Sequence, residues 1–329
     1  MSLNIGAGYH QRVAGAAEES CVTSSFEARR MLAHIVGNDP ASVDAVALQE
    51  VDRFRSGRAC QDPDGDGLPC GDHAMDFRSE LNTLAGYEGC GHSFDSFHGS
   101  QDIGPTSCPD GSAGEYGNAV VVEAAIQAQA NWRITEDCDP NEEQRGAAVT
   151  RIDFQGQPAW IVSTHLGWEC HGTQVSALRA QLATLPPDEL LVVAGDFNVR
   201  RAGRNGPDGG PYTVHAANLS EWNHLVSEFD SVGLRYINVP GNTASAVNPT
   251  KQIDFVFVRD PSGRVTGLST SRIRPVFGVG TLGTGTYLTD HIGVEVVLHT
   301  TIPTHPAIGW LRSSEIDLLN SGIADTVLF

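Results

Sequence analysis

Short apolar runs that end in groups able to do chemistry restrict the fold of this chain most. Val46-Ala47-Leu48 leads to Glu50, Ile161-Val162 to His165, and Leu191-Val192-Val193 to Asp196 and Asn198, while Asn4 follows Leu3 near the start. Compact runs of this kind, rich in Val and Ile, form strands buried on both faces. A polar group at the end of such a strand has a rigid backbone beneath it and a side chain that reaches solvent, which is where layered sheets build ligand sites. Any one of these residues is ordinarily a solvated cap or turn former. Five of them in one chain point to a shared site.

Helical patterns alternate with the strands. Ser24 and Glu27 form a capping box ahead of Met31, Leu32, Ile35 and Val36, and Gly37-Asn38-Asp39-Pro40 stops that helix. A second helix is expected over about His73 to Ala85. A third carries Val175, Leu178, Leu182 and Leu185 as far as Pro186-Pro187, and a fourth holds Trp222, Leu225, Val226 and Phe229. Val43 to Leu48, Leu190 to Ala194, Ile253 to Val258 and Val294 to Leu298 read as strands. Ala147 to Phe154 and Ala159 to His165 read as a hairpin around Gln155-Gly156-Gln157-Pro158. Hairpins are too frequent for an all-parallel sheet, so helices are expected outside sheets in an α/β layering. With 329 residues, 40% of them hydrophobic, the chain can bury such a core, and no stretch approaches the apolar length of a membrane span.

Charge narrows the partners. The 21 Lys and Arg against 40 Asp and Glu leave −19 at pH 7, which excludes non-specific adhesion to nucleic acid unless metal ions or a local basic patch intervene. Arg200, Arg201 and Arg204 are the densest patch, in a Gly/Pro-rich stretch after Asn198. It reads either as a contact to flanking phosphates or as a solvated loop. Lys251, the only lysine, receives no role.

All seven cysteines lie in the first 170 residues, without the paired spacing of a zinc site. Cys138 and Cys170 flank the 147–165 hairpin and would meet at its open end; Cys60 with Cys70 and Cys90 with Cys108 leave Cys21 over. An exported protein is the leading expectation, with buried thiols in a cytosolic protein as its rival.

In chain order, the candidate blocks are Leu3-Asn4-Ile5, Leu48-Gln49-Glu50-Val51, Tyr116-Gly117-Asn118-Ala119, Ser163-Thr164-His165-Leu166, Gly195-Asp196-Phe197-Asn198, Gln252-Ile253-Asp254-Phe255 and Thr289-Asp290-His291. This ordered series resembles the endonuclease/exonuclease/phosphatase superfamily of deoxyribonuclease I, exonuclease III-type repair enzymes, neutral sphingomyelinases and inositol polyphosphate 5-phosphatases. The resemblance spans about Asn4 to Leu298 and implies a four-layered α/β sandwich of two mainly antiparallel sheets with helices outside. One catalytic domain is expected over residues 1–300, with an extension over 301–329 and a monomeric state.

For chemistry, the resemblance implies Mg²⁺ or Mn²⁺ held by Glu50 and Asp290 with Asn4 nearby. It implies Asp196 and Asn198 orienting water and phosphate, and Asp254 fixing the tautomer of His291. His165 is a second donor, and Tyr116 and Asn118 line the phosphate pocket. How base and acid divide among Asp196, His165 and His291 stays open. His165 argues against the abasic-site repair enzymes, which typically lack a histidine at that block. Gly117 and Asn118 stand where deoxyribonuclease I has a glutamate partnering its histidine, leaving Glu115 as the candidate substitute. DNA is the expected substrate, with lipid or inositol phosphoesters as alternatives and a non-catalytic calcium-binding protein a more distant one.

Cys60 to Asp72 carries carboxylates at alternate positions, Asp62, Asp64 and Asp66, then a glycine. That is the opening of a calcium loop, where the glycine allows a sharp turn and oxygens converge on the ion. The segment also resembles the short calcium loop of extracellular Excalibur domains. His73 stands where an EF-hand has its bidentate glutamate, which leaves Asp72 as a further ligand; an ordinary acidic turn is the rival reading. Calcium is expected to raise the melting temperature of the oxidised protein, with Asp64→Asn reducing that gain. Thermal unfolding across a calcium titration reads the effect, and no shift in the oxidised wild type rejects the loop.

Overall fold

In the computed structural model, residues 1–5, 44–53, 73–88, 93–107, 113–134, 144–167, 170–201, 216–239, 241–244, 251–273, 276–277, 286–287, 291–300 and 326–328 are described. The chain enters through β1 (Ser2–Asn4) and β2 (Ala45–Arg53), passes α1 (His73–Glu88), and continues through β3 (Asp95–Ser107) and β4 (Ala113–Val122). Next come β5 (Ala128–Ile134), β6 (Arg145–Phe154), β7 (Gln157–His165), α2 (His171–Leu182), β8 (Leu190–Arg201), α3 (Ala216–Asp230), β9 (Arg235–Ile237) and β10 (Gln252–Arg259). β11 (Val265–Ile273), a small ribbon of β12 (Val276–Phe277) and β13 (Thr286–Tyr287), β14 (Gly293–Thr300) and β15 (Thr326–Leu328) follow.

Two sheets result. One has the order β11-β14-β1-β2-β4-β3, with β15 also paired to β14; the other has the order β5-β6-β7-β8-β10-β9. Each has one parallel pair near its middle, β1 with β2 and β7 with β8, and its remaining neighbours are antiparallel.

Alternation along the strands builds the layers. On β2, Ala45 and Ala47 enter the core between the sheets, while Val46 and Leu48 turn outward to Phe77 and Leu81 of α1. On β8, Leu190, Val192 and Ala194 point between the sheets, and Leu191 and Val193 point out to Val175, Leu178, Leu225 and Phe229 of α2 and α3. Strands covered on both faces read as continuous apolar runs because neither face meets water. The outcome is the four-layered sandwich, α1 on one outer face and α2 with α3 on the other.

The structure lengthens some expected elements. β8 continues past Ala194 to Arg201, because Phe197 and Val199 keep the outward alternation into the α2–α3 core. The β6–β7 hairpin is tighter than expected: Phe154 pairs with Gln157, and Gln155 (φ 51°) and Gly156 (φ 75°) make a two-residue turn, with Pro158 already in the strand. Strands β3, β5 and β11 had no clear apolar signature; β3 and β5 are sheet edges, where one side needs no apolar cover. The helix expected around 24–36 lies outside the described residues.

Gly195 carries a steric requirement. A Cβ at this position would lie 1.9 Å from the Thr164 carbonyl oxygen of the parallel neighbour β7. Backbone cannot yield as a flexible side chain can, so Gly195→Ala forces β7 and β8 apart beside His165 and Asp196. Gly195→Ala is expected to destabilise the fold by about 1–3 kcal/mol or more, read as a lower urea midpoint; an unchanged midpoint contradicts the close approach.

Candidate active site

The faces that pack the two sheets together also carry the site. Following the inward side chains of β7, Ala159 and Ile161 give way to Ser163 and His165; on β8, Leu190, Val192 and Ala194 give way to Asp196, Asn198 and Arg200. On β10, Val258 and Val256 lead to Asp254, and on β4, Val122 and Val120 lead to Asn118 and Tyr116. Polar ties link the sheets beside these ends. Gln49 Nε2 donates to Ser163 Oγ (2.9 Å), Ser163 Oγ donates to the Leu48 carbonyl (2.7 Å), and Asn118 Nδ2 donates to the Gly146 carbonyl (3.1 Å). Each crosses from one sheet to the other, so the gap in which the site lies has a fixed width.

Two interruptions of the ladders set the catalytic side chains. Leu48 pairs with Ala119 but Val51 with Gly117, so Gln49 and Glu50 together oppose Asn118 in a bulge, with Glu50 at φ 56°. Asp254 pairs with Asp196, yet Gln252 pairs with Arg201, so β8 leaves the ladder between these points, with Asn198 at φ 52°. His165 is the parallel partner of Asp196 on the other side. Three neighbouring strands therefore present His165, Asp196 and Asp254 side by side. His291 joins them through an isolated bridge to Ala244, steadied where Ile292 N–H donates to the Thr243 carbonyl (2.7 Å).

The polar geometry is tight. His291 Nδ1 donates to Asp254 Oδ2 at 3.0 Å, which turns Nε2 toward Asp196 Oδ2 at 3.6 Å. Asn198 N–H donates to Asp196 Oδ1 at 2.9 Å, and Asn198 Nδ2 reaches the Leu166 carbonyl at 2.7 Å and His165 Nε2 at 3.1 Å. Arg145 places a guanidinium nitrogen 3.2 Å and 3.3 Å from the two ring nitrogens of His165. Burial, then the charge of Arg145, then His291 hold His165 well below the usual imidazole range, so the ring is neutral. Burial first, then the facing Asp254, raise the Asp196 carboxyl to about 7, against the lowering effect of His291 and the Asn198 amide.

Tyr116, Asn118, His165, Asp196, Asn198, Asp254 and His291 are all buried, and Glu50 is partly buried at the edge of the cluster. Asn4 pairs with Gln49, one residue from Glu50. Asp290 and the loop carboxylates Asp62, Asp64, Asp66 and Asp72 lie outside the described residues, as does Arg204; Arg201 ends β8. Glu115 lies against His98 at 3.8 Å, while Arg145, Asn198 and Asp196 surround His165. Sequence reasoning missed Arg145. It stands at the start of β6 with no distinguishing neighbours, and only the pairing of Gly146 with His165 reveals its place.

The Endonuclease/Exonuclease/phosphatase family model matches residues 1–291. The chain belongs to this family. Its enzymes hydrolyse phosphoesters using divalent metals. The Escherichia coli K12 protein YbhP is 27% identical over 190 residues, 56% of this chain and 64% of its own length, so the chain spans under two thirds of that relative. Among solved structures, a family member from Leptotrichia buccalis superposes with a TM-score of 0.57 at 16% identity, covering 91% of this chain and 98% of its own. Another, from Beutenbergia cavernae, gives 0.54 at 18% identity, covering 90% and 69%. At these identities the likeness is one of fold.

The donor set fits the family's metal. Ligand atoms of Glu50, His165 and Asp196 lie within 4.8 Å of one another, and so do those of Asp196, Asp254 and His291. Carboxylate oxygens with an imidazole nitrogen suit a hard or borderline divalent cation.

Behind the site, His171 Nε2 donates to the Phe197 carbonyl (2.8 Å), tying the start of α2 to the backbone between Asp196 and Asn198. Its Nδ1 is buried with no hydrogen-bond partner among the described residues, so protonating it strands a charge. Burial, opposed by the Phe197 bond and assisted by His224, lowers this imidazole from 6.5 to about 4. The unfolded chain then binds a proton that the folded chain refuses. The contribution is complete above about pH 6.5 and is lost as pH falls toward about 4. Wild type is expected to lose up to about 1.4 kcal/mol more per pH unit in that window than His171→Gln. Urea unfolding at several pH values measures it; parallel pH profiles reject it.

Proposed function

We propose that the protein is an exported phosphodiesterase that cuts DNA endonucleolytically with Mg²⁺ or Mn²⁺. One observation carries the polymer reading: the course of β8 beyond the catalytic cluster. Arg200 follows Asp196 and Asn198 on the same face, and Arg201 is next, so the path out of an acidic site turns basic in a chain of net charge −19. A substrate with phosphates on both sides of the scissile bond gains from that turn; a single isolated phosphoester does not.

The residues divide the work as phosphodiester hydrolysis requires. Glu50, with Asp290, would hold a divalent cation, which would offset charge on the phosphoryl oxygens and the leaving group. Arg145 and Asn198 hold their donors against His165, and from there they would serve a phosphate bound beside it as its charge develops. Asp196 and His291 lie 3.6 Å apart, so either one can take the single proton of the attacking water, and Asp254 keeps His291 in the tautomer whose Nε2 is an acceptor. His165, held neutral by its burial and by Arg145, faces the leaving oxygen.

Export is supported by Cys170, which is disulfide-bonded. The other six cysteines lie outside the described residues. The acidic segment 60–72 supports the same reading, since a calcium loop has use where calcium is abundant.

Turnover is expected to need Mg²⁺ or Mn²⁺, to stop with excess chelator, and to fall about 10²- to 10⁴-fold in Asp196→Ala and His291→Ala. A metal-supplemented panel of plasmid, single-stranded DNA, RNA, sphingomyelin and inositol phosphates decides the substrate. Cleavage confined to the lipid or the inositol phosphates rejects the DNA reading, and near-normal rates in both variants reject the site. Neutralising Arg200, Arg201 and Arg204 together is expected to raise KM for plasmid and to flatten the dependence of log binding on log salt by about 0.9 for each phosphate no longer neutralised.

A further inference from the structure

We infer that His171 is a positioning residue for Asp196, acting through the peptide unit that joins Phe197 to Asn198. The inference deepens the phosphodiesterase reading above, on which Asp196 can take a proton from water; the hold on the peptide itself does not depend on the substrate.

That peptide is gripped at both ends. Its carbonyl, that of Phe197, accepts from His171 Nε2 at 2.8 Å, and its N–H, that of Asn198, donates to Asp196 Oδ1 at 2.9 Å. A planar trans peptide points its C=O and N–H in opposite directions, so neither turns without the other. His171 on the helix side therefore sets the direction from which the Asp196 carboxylate receives its amide donor. The peptide has a reason to turn. Asn198 sits at φ 52°, and a half-rotation of the Phe197–Asn198 unit returns it to the extended range that non-glycine residues prefer. The rotated peptide would aim a carbonyl oxygen, in place of an N–H, at the buried carboxylate.

The histidine is suited to this hold. It is 4% exposed, and its Nδ1 has no hydrogen-bond partner among the described residues. A carbonyl only accepts, so the ring carries its proton on Nε2 and directs it to Phe197. An apolar side chain would fill the same space without leaving a buried nitrogen unsatisfied, so the bond to Phe197, and not packing, is what a histidine adds here.

The helix turn that carries His171 is fixed to the same strand ends. Gly167 N–H donates to Gln174 Oε1 at 2.7 Å, Leu166 N–H donates to the Asp196 carbonyl at 2.9 Å, and Asn198 Nδ2 donates to the Leu166 carbonyl at 2.7 Å. From His171 through Phe197, Asp196, Leu166 and Gly167 to Gln174, these bonds close a ring. The first turn of α2 thus keeps one spacing to β7 and β8 beside the catalytic groups.

The test reads the peptide and the rate separately. Hydrogen exchange of the Asn198 amide, followed by NMR near neutral pH, is expected to speed up about tenfold or more in His171→Leu, which fills the space without a donor. It is expected to stay within about twofold of wild type in His171→Gln, whose side-chain amide reaches the same carbonyl. The amide of Val193, in the middle of β8, is the internal reference. Equal Asn198 exchange in wild type and His171→Leu, or an equal acceleration at Val193, overturns the hold. Turnover is expected to follow the same order, with kcat lower by about tenfold or more in His171→Leu and by less than about threefold in His171→Gln. In an Asp196→Ala background His171→Leu is expected to cost less than about twofold, because the effect runs through that carboxylate. A full tenfold loss there overturns the positioning role. Wild type that turns over no phosphoester rejects the phosphodiesterase reading alone, and the Asn198 amide then decides the hold. If His171→Leu does not fold, His171→Asn, whose shorter amide stops short of the carbonyl, takes its place under the same criteria.

Discussion

Asp196 and Asp254 face each other across β8 and β10 with 2% and 1% of their surface exposed, and most of the site's construction answers that arrangement. Two carboxylates in a dry layer repel, with little water to screen them. The fold offsets this with an amide N–H from Asn198 to one carboxylate and an imidazole from His291 shared between both. Burial first, and then the facing Asp254, still leave the Asp196 carboxyl raised. The sheet pairing that places two acids together thus assembles a donor set that could hold a metal.

Regular sheets supply stiffness but direct side chains only up or down, so the site depends on local irregularity. Glu50 and Asn198 both adopt positive φ, one at the bulge of β2 and the other where β8 leaves the ladder. Such conformations cost about 1–3 kcal/mol each in non-glycine residues and persist where surrounding packing over-determines them. Here the packing is the neighbouring Leu48 and Val51 on one side, and Phe197 and Val199 on the other, all fully buried. The apolar residues that alternate with the catalytic ones hold them in place; the Gln49–Ser163 contact fixes the distance between the two sheets that contribute them.

Much of this was legible in the sequence because strands buried on both faces announce themselves as apolar runs, and their polar terminators stand out. Glu50, His165, Asp196 and Asn198 could be read in that way. Asp254 and His291 needed the resemblance to a known series of blocks, since Gln252-Ile253-Asp254 is ordinary by itself. Arg145 was illegible: its function comes from lying across a hairpin from His165, a relation fixed by a two-residue turn where the residue pattern suggests four. Edge strands were equally hidden. β3 contains two glycines and a proline and has little alternation, yet its pairing with β4 completes the sheet that presents Tyr116 and Asn118. The place of Glu115 also needed three dimensions, because only the sheet shows that it meets His98.

Charge distribution then links fold to selectivity. A strongly acidic surface keeps a polyanion at a distance, and at physiological salt that repulsion fades over about 8 Å, so only cations at the mouth of the site decide approach. Arg145 lies within the catalytic cluster, Arg200 just outside it on the same strand face as Asp196 and Asn198, and Lys251 one intervening strand from His291. The positive groups therefore form a path through the site rather than a coat over the molecule. At its centre the buried carboxylates of Asp196 and Asp254 face these cations, so acidic and basic groups offset one another within the one cluster.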